Sequence, residues 1–380
     1  MRKIGAWIVV VGGLFISPIT VMGEEVEPVI MEEMEQVTAP PAQQETDFYR
    51  AEVIEIIEEG EYTGFGGVQY FQFLNVQFLE GPDEGVAIEL EYTNSYFTEE
   101  HRVEEGETVV IIASSFNGDV IYNVFEPYRI PGLMAMASLF IFALFLVAGK
   151  KGLTSLIGLG VSLLIILKWM VPQILMGSSP LTVCWMGGIM IIFISLYLAH
   201  GFNKRTSLAL VSTLITFHLA LGFGYLAVNG ARLFGMGSEE ALLLTYTDLG
   251  VGIDLRGLLL GAIVIGALGV LDDITTAQTA TVEEIHKADK KLSVKELYKR
   301  GLSVGHEHIA SLVNTLVLAY VGVAFPVLLL LMDTNEPFWV ILNNEFMAEE
   351  VGRTLVGSLT LVLAVPIATG LAAHVYGQKK

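Results

Sequence analysis

The chain has 380 residues, of which 53% are hydrophobic, and its formal net charge at pH 7 is −20. This hydrophobic content is higher than that of an ordinary soluble domain. The negative charge argues against nucleic-acid binding, because phosphate backbones are bound by basic surfaces.

The negative charge is concentrated near the N-terminus. Residues 24–130 hold 25 of the 41 acidic residues and three basic ones, which gives this segment a net charge of −22. Two interpretations remain open for this charge. It either keeps the segment soluble and away from anionic surfaces, or it weakly recruits cations or a basic partner.

Residues 1–23 have the pattern of a secretory signal. Arg2 and Lys3 precede the apolar run Ile4–Ile19, and small residues follow before Glu24. Cleavage would leave seven membrane spans, whereas a retained signal anchor would make eight. Residues 24–46 are rich in Glu, Pro and Gln, and this composition predicts an acidic flexible linker.

Residues 47–128 predict a small all-β extracytoplasmic domain. Five β-rich runs are separated by turn signals such as the Gly-Pro-Asp-Glu-Gly of 81–85. The predicted strands are Tyr49–Ile57, Val68–Leu79, Val86–Tyr92, Thr108–Ser114 and Val120–Phe125. Five short strands suit a closed barrel of the OB type or a compact sandwich. The single cysteine, Cys184, lies elsewhere, so the domain is held by core packing without a disulfide.

The rest of the chain, residues 129–380, predicts an α-helical polytopic membrane domain with seven transmembrane helices. A helix needs about 20 apolar residues to cross the hydrocarbon core. Seven apolar stretches reach or approach that length: 131–149, 152–176, 179–200, 207–229, 255–275, 309–332 and 353–375. The predicted surroundings are therefore a lipid bilayer.

Charge alternates between the loops that join these stretches. The basic loops carry Lys150 and Lys151, Lys204 and Arg205, six lysines and arginines between 287 and 300, and Lys379 and Lys380. The other loops are neutral or acidic. By the positive-inside rule, the N-terminal domain is extracytoplasmic, while the C-terminus and the loop 276–308 are cytoplasmic. Within that loop, Val282–Arg300 predicts one amphipathic helix at the membrane surface.

Two adjacent carboxylates are the leading candidate site for ion or proton coupling. Asp272 and Asp273 follow fifteen uncharged residues, Gly257–Leu271, within the fifth apolar stretch. A charge at this depth costs a few kcal/mol and usually marks an ion or proton path. The alternative is a helix that ends near Ile274, with both carboxylates in headgroup water. Residues 275–281 favour the first possibility, because they predict a helical continuation along a wet crevice.

Two further polar residues are candidate neighbours of the aspartates. Asn314 lies at a similar depth in the sixth stretch, and a structural amide pair is as consistent with its position as a functional one. His218 lies near the middle of the fourth stretch, and an imidazole there suits a proton relay. The alternative is a neutral imidazole bonded to Ser212, Thr213 or a neighbouring helix.

The basic loop offers weak candidates for metal ligands in Glu283, His286, His306 and His308. Their spacing matches neither HExxH nor a pair of CxxC motifs, so no metal or cofactor is predicted. The sequence also lacks a P-loop, a Gly-rich dinucleotide motif and GxSxG. These absences argue against an enzyme.

The order of parts resembles the YibE/F-like family of bacterial multi-spanning membrane proteins. The resemblance is carried by GALGVLDDITTAQTATVEE from Gly266, by Gly301 and Gly305, and by NTLVLAYVG at 314–322. It implies a permease of undetermined substrate in the bacterial cytoplasmic membrane. The GVLDD segment is also similar to the mid-membrane aspartate region of RND-type and SecD/SecF proteins, which points to Asp272 and Asp273.

The predicted function is an ion-gradient-driven permease, or an export-assisting transporter, for an unknown small solute or ion. The alternative is a membrane scaffold or sensor whose external β domain binds a ligand or partner. A membrane-protein partner or a homo-oligomer is compatible with either function. The two differ in whether Asp272 and Asp273 face an interior crevice or the cytoplasmic surface.

Overall fold

The computed structural model describes residues 46–64, 67–93, 99–116, 119–246, 252–333 and 336–378. The chain divides between Met134 and Ala135 into two compact units. The predicted signal segment and almost all of the predicted linker lie outside the described residues.

The N-terminal unit is built on one antiparallel sheet of five strands. They are β1 (Thr46–Gly64), β2 (Gly67–Phe78), β3 (Ala87–Tyr92), β4 (Thr108–Phe116) and β5 (Asp119–Pro127). Their order in the sheet is β3-β2-β1-β4-β5. The long strand β1 pairs with β2 and with β4, and irregularities between Val53 and Glu58 bend it. Such bulges increase twist and let a sheet curl.

The sheet curls into a half-barrel around an apolar core. The edge strands β3 and β5 contact each other. Alternate inward-facing residues, including Val53, Leu74, Val76 and Ile111, are almost fully buried. The prediction of five strands and of the turn at 81–85 is confirmed, and Gly81 and Gly85 there have positive φ. The sandwich alternative would need two packed sheets, whereas the described strands form one.

The second unit is helical. Its elements are α1 (Ile130–Ile165), a π-helical turn (Ile166–Met170), α2 (Val171–Leu175), α3 (Pro180–His200), α4 (Lys204–Gly230), α5 (Glu239–Tyr246), α6 (Leu255–Ala288), α7 (Val294–Met332), α8 (Phe338–Asn343) and α9 (Glu345–Gly377). Within the described residues, six helical segments are long and apolar enough to cross a membrane. The chain is therefore a polytopic helical membrane protein with an N-terminal β half-barrel.

The first of these six segments, Ile130–Leu175, contains both of the first two predicted spans. Its 46 residues are interrupted at Gly149, where φ is 57° and ψ is −138°, values outside the helical region. The interruption falls at the predicted boundary beside Lys150 and Lys151. Seven spans remain the prediction from the sequence.

A π-helical turn precedes Pro172 in the same segment. Proline has no N–H to donate and its ring clashes with the carbonyl four residues earlier, so the helix widens there. Met170, at the end of the turn, packs against α3 at Gly187, where a Cβ would overlap its side chain.

Helix α6 lies at the centre of the second unit and contacts α3, α4, α7 and α9. Small residues permit its close approaches. A Cβ at Gly261 would lie 2.6 Å from Sγ of Cys184 on α3. On the other side, a Cβ at Gly301 of α7 would lie 2.8 Å from the Val282 side chain of α6. Such close contacts let van der Waals packing hold helices together where lipid removes the hydrophobic driving force.

The connection between α6 and α7 differs from the predicted amphipathic helix Val282–Arg300. Helix α6 continues to Ala288, and α7 begins at Val294, so a short turn divides the predicted helix. The reason is a capping box, in which Ser293 accepts from the backbone N–H of Glu296, and Glu296 accepts from the N–H of Ser293. This arrangement satisfies backbone donors that a continuous helix would not expose.

Candidate functional site

Both predicted aspartates line a cavity of about 360 Å³ within the helical unit. Three segments bound it: the part of α1 after Gly149, the C-terminal half of α3, and the middle of α6. Its polar lining consists of Ser155, Ser162, Ser195, His200, Asp272 and Asp273. Helix α6 places the two carboxylates on adjacent positions about 100° apart. Asp272 is half-buried and Asp273 is exposed.

The two carboxylate oxygens of Asp272 have different surroundings. The hydroxyl of Ser195 on α3 donates to Oδ2 at 3.3 Å. Oδ1 is buried and has no hydrogen-bond partner within the described part of the chain. An ionised carboxylate with one unsatisfied buried oxygen is expensive. An ionised Asp272 is therefore costly unless Oδ1 gains a partner.

Close approach of the helix backbones lets the cavity form beside Ser195. Gly158 of α1 faces this position, and a Cβ there would lie 3.7 Å from the backbone of Ser195. One turn away, the hydroxyl of Thr154 lies 3.4 Å from the carbonyl oxygen of Ala199. Since α1 meets α3 through small and hydroxylated residues at this point, the serines of both helices reach the same cavity.

Helix α6 continues past the aspartates as a chain of polar residues buried among other helices. The hydroxyls of Thr275 and Thr213 on α4 are 2.6 Å apart. Nε2 of Gln278 donates to the carbonyl of Gly301 on α7 and to Oγ1 of Thr369 on α9, each at 2.7 Å. The predicted helical continuation over 275–281 is confirmed. Thr275 and Gln278 are fully buried against neighbouring helices, however, and do not line a crevice.

A family model described as YibE/F-like protein matches residues 136–378. The match covers more than half of the chain, beginning within α1 and ending at the end of α9. The chain belongs to the YibE/F-like family. No curated protein and no solved structure matches it.

Within this YibE/F-like protein, the segment around GVLDD forms one wall of the cavity. Gly269, Asp272 and Asp273 all line it. The later glycines Gly301 and Gly305 have a different role, because α6 and α9 pack closely against them. The family match begins after the β half-barrel, so it covers the helical unit alone.

His218 and Asn314 are not brought to the aspartates. His218 is exposed on α4, where its Nδ1 lies 2.7 Å from the carbonyl of Leu214 and its Nε2 accepts from the Trp185 indole at 3.3 Å. The Trp185 bond matches the alternative in which the imidazole is bonded to a neighbouring helix, whereas its contact within α4 is to Leu214 and not to Ser212 or Thr213. Asn314 is exposed on α7.

The structure places His200 at the aspartate cavity, although no sequence pattern assigns this residue a role. It is the last residue of α3 and lies exposed at the cavity wall. Its position at the end of an apolar stretch looks like an ordinary helix terminus. Only the packing of α3 beside α6 brings the imidazole to the same cavity as the carboxylates.

The weak metal candidates are distributed over separate contacts. Glu283 pairs with Arg205 at 3.6 Å and with Lys287 at 3.2 Å. His286 stacks on Tyr376 with ring centroids 5.9 Å apart. His306 is exposed and His308 is half-buried on α7. Across the ranges that the structure describes, no three His, Cys, Asp or Glu side chains cluster as a metal site would require.

Proposed function

We propose that this YibE/F-like protein is an ion-gradient-driven permease in which Asp272 binds and releases the coupling proton or cation. The observation that carries the proposal is the position of Asp272. It lines a cavity between helices, with one carboxylate oxygen bonded to Ser195 and the other buried without a described partner. A carboxylate kept within a membrane span at this cost is typical of an ion or proton path.

The groups around Asp272 suit a reversible binding step. When the coupling ion is a proton, it binds Oδ1 and removes the cost of the buried charge. When it is a metal cation, the hydroxyls of Ser195 and Ser162 and the two carboxylates offer oxygen ligands, which hard cations prefer. Asp273 and His200 line the same cavity as Asp272.

Loose packing around the cavity supports a transport cycle. The part of α1 after Gly149, which lines the cavity, buries only Gly152, Gly158 and Ile165, whereas α6 buries fifteen of its residues. One cavity wall therefore belongs to a helix with few interior contacts. Alternating access needs one group of helices to move against another around a fixed site, and such a wall suits that motion.

Purified protein in vesicles tests the proposal through a screen of small solutes under an imposed pH or sodium gradient. Wild type is compared with Asp272→Asn and with Glu307→Gln, a control that removes an exposed carboxylate on α7. We expect gradient-driven flux in the wild type and in the control, and its loss in Asp272→Asn at equal protein yield. A folded Asp272→Asn variant with wild-type flux would overturn the proposal.

A membrane sensor or scaffold is the second candidate, favoured by aromatic side chains on the β half-barrel. Phe71 and Phe73 meet edge to face with centroids 5.8 Å apart, and Tyr62 lies 6.3 Å from Phe71. Phe73 and Tyr62 are exposed. Exposed aromatic groups are typical of binding surfaces. For a sensor, Phe71→Ser with Phe73→Ser would abolish ligand or partner binding, while Asp272→Asn would leave binding unchanged.

A further inference from the structure

A second cavity in the helical unit, of about 700 Å³, lies where α4 begins and where α6 and α9 end. Its lining includes Lys204, His286, Lys290 and Tyr376, together with the backbone around Gly377. Among the described residues that line it, none is acidic. His286 lies about four turns of α6 beyond Asp272, and the cavity does not depend on the permease proposal.

The two lysines of this cavity are not neutralised. Neither Lys204 nor Lys290 forms an ion pair with any of the described residues. Among the neighbouring acidic groups, Glu283 pairs with Arg205 and Lys287, and Glu284 pairs with Lys287 at 2.8 Å. Asp289 accepts from the backbone N–H of Lys291. The cavity therefore keeps an uncompensated positive charge.

Two of the cavity's groups, Lys204 and His286, contact the ring of Tyr376. The ammonium of Lys204 lies over the Tyr376 ring, 4.9 Å from its centroid, and is 3.4 Å from the carbonyl oxygen of Val375. His286 also stacks on the Tyr376 ring. An aromatic ring shared by a lysine and a histidine holds both at one wall, which lowers the entropic cost of binding an anion.

Two buried polar atoms in this cluster have no described partner. They are Nδ1 of His286 and the hydroxyl oxygen of Tyr376. Buried polar groups are nearly always hydrogen-bonded, so each unsatisfied one needs an explanation. An imidazole N–H and a phenolic O–H can both donate. Two lysine ammonium groups beside two such donors match the oxygens of a phosphate group.

We propose that this cavity binds a phosphate-bearing anion, with Lys204 and Lys290 supplying charge and with His286 and Tyr376 supplying hydrogen bonds. Its place at the ends of membrane-spanning helices suits the phosphodiester of an anionic lipid. Basic pockets between transmembrane helices on the cytoplasmic side bind such headgroups. A free phosphate anion carries the same chemistry, so the experiment has separate arms for the two sources.

The test uses the full-length protein in neutral detergent and measures thermal unfolding with added phosphatidylglycerol, phosphatidylcholine or inorganic phosphate. The site variant is Lys204→Gln with Lys290→Gln. The matched control is Lys295→Gln with Lys299→Gln, which removes the same charge from exposed positions on α7 that do not line the cavity. Tyr376→Phe keeps the ring under Lys204 and removes only the hydroxyl.

We expect phosphatidylglycerol, and not phosphatidylcholine, to raise the unfolding temperature of the wild type and of the control variant. The site variant should bind this lipid roughly fivefold more weakly per lysine removed, and Tyr376→Phe should show a smaller loss. Stabilisation by inorganic phosphate, lost in the same variant, would assign the site to a free anion. Equal stabilisation of the site and control variants, or no response to either phosphate source, would overturn the proposal.

Discussion

At the scale of single residues, glycines decide how closely the central helices pack. A Cβ at Gly305 of α7 would overlap the Val365 side chain of α9 and press on the amide of Gln278. The same approach brings α7 near enough for Gln278 to bond the Gly301 carbonyl at 2.7 Å. Packing and polar satisfaction therefore depend on the same small residues.

Replacing Gly305 with alanine should lower the free energy of unfolding by about 1–3 kcal/mol, since overpacking displaces a close-packed neighbour. Gly322→Ala on the same helix is the control, because nothing lies within 4 Å of its added Cβ. Thermal unfolding of both variants in detergent measures the difference. Equal stability of the two would contradict the described contact between α7 and α9.

The stability of the β half-barrel should depend on pH because of Tyr122. Tyr122 donates to Asp83, and this bond together with burial raises the pKa of Tyr122 from 10.0 to about 12. The folded state holds this proton more tightly than the unfolded state does. The bond's contribution to the free energy of unfolding is therefore complete below pH about 10 and is lost as the pH rises through about 12. Circular dichroism of residues 46–128 should show alkaline destabilisation in the wild type and less in Tyr122→Phe. Identical alkaline profiles would contradict the bond.

At the scale of secondary-structure elements, local signals fix the boundaries of the long helices. The capping box at Ser293 and Glu296 starts α7 and separates it from α6. Ser293→Ala should destabilise the first turn of α7 by about 1 kcal/mol, because an N-cap side chain is lost. Hydrogen exchange of that turn should accelerate relative to Ser303→Ala, an exposed change in the same helix. Unchanged exchange in both variants would refute the cap.

Elements that depend on residues close together in the sequence could be predicted, whereas features that depend on tertiary packing could not. The five strands and the apolar helices follow from local periodicity and from turns such as 81–85. The capping box was also local, but the basic amphipathic pattern of 282–300 masked it. The neighbours of Asp272 depend on helix rotation and tertiary packing, which a single sequence does not specify. His218 therefore drew attention by its central position, while His200 lines the cavity.

At the scale of the whole molecule, loop charge predicts the orientation of the chain in the membrane. The loop near Ser238 should be extracytoplasmic and the turn near Lys290 cytoplasmic. In a Cys184→Ser background, an impermeant thiol reagent applied to intact cells should label Ser238→Cys and spare Lys290→Cys. After the membrane is opened, both should react. Labelling of Lys290→Cys in intact cells would contradict the predicted orientation.

Infrared spectroscopy of the purified protein tests most directly whether Asp272 exchanges a proton or cation within its cavity. A carboxyl band that responds to pH or to added sodium should be present in the wild type and in Asp273→Asn. It should be absent in Asp272→Asn and shifted in Ser195→Ala, because Ser195 donates to Oδ2. An Asp272→Asn spectrum that responds as the wild type does would contradict the claim.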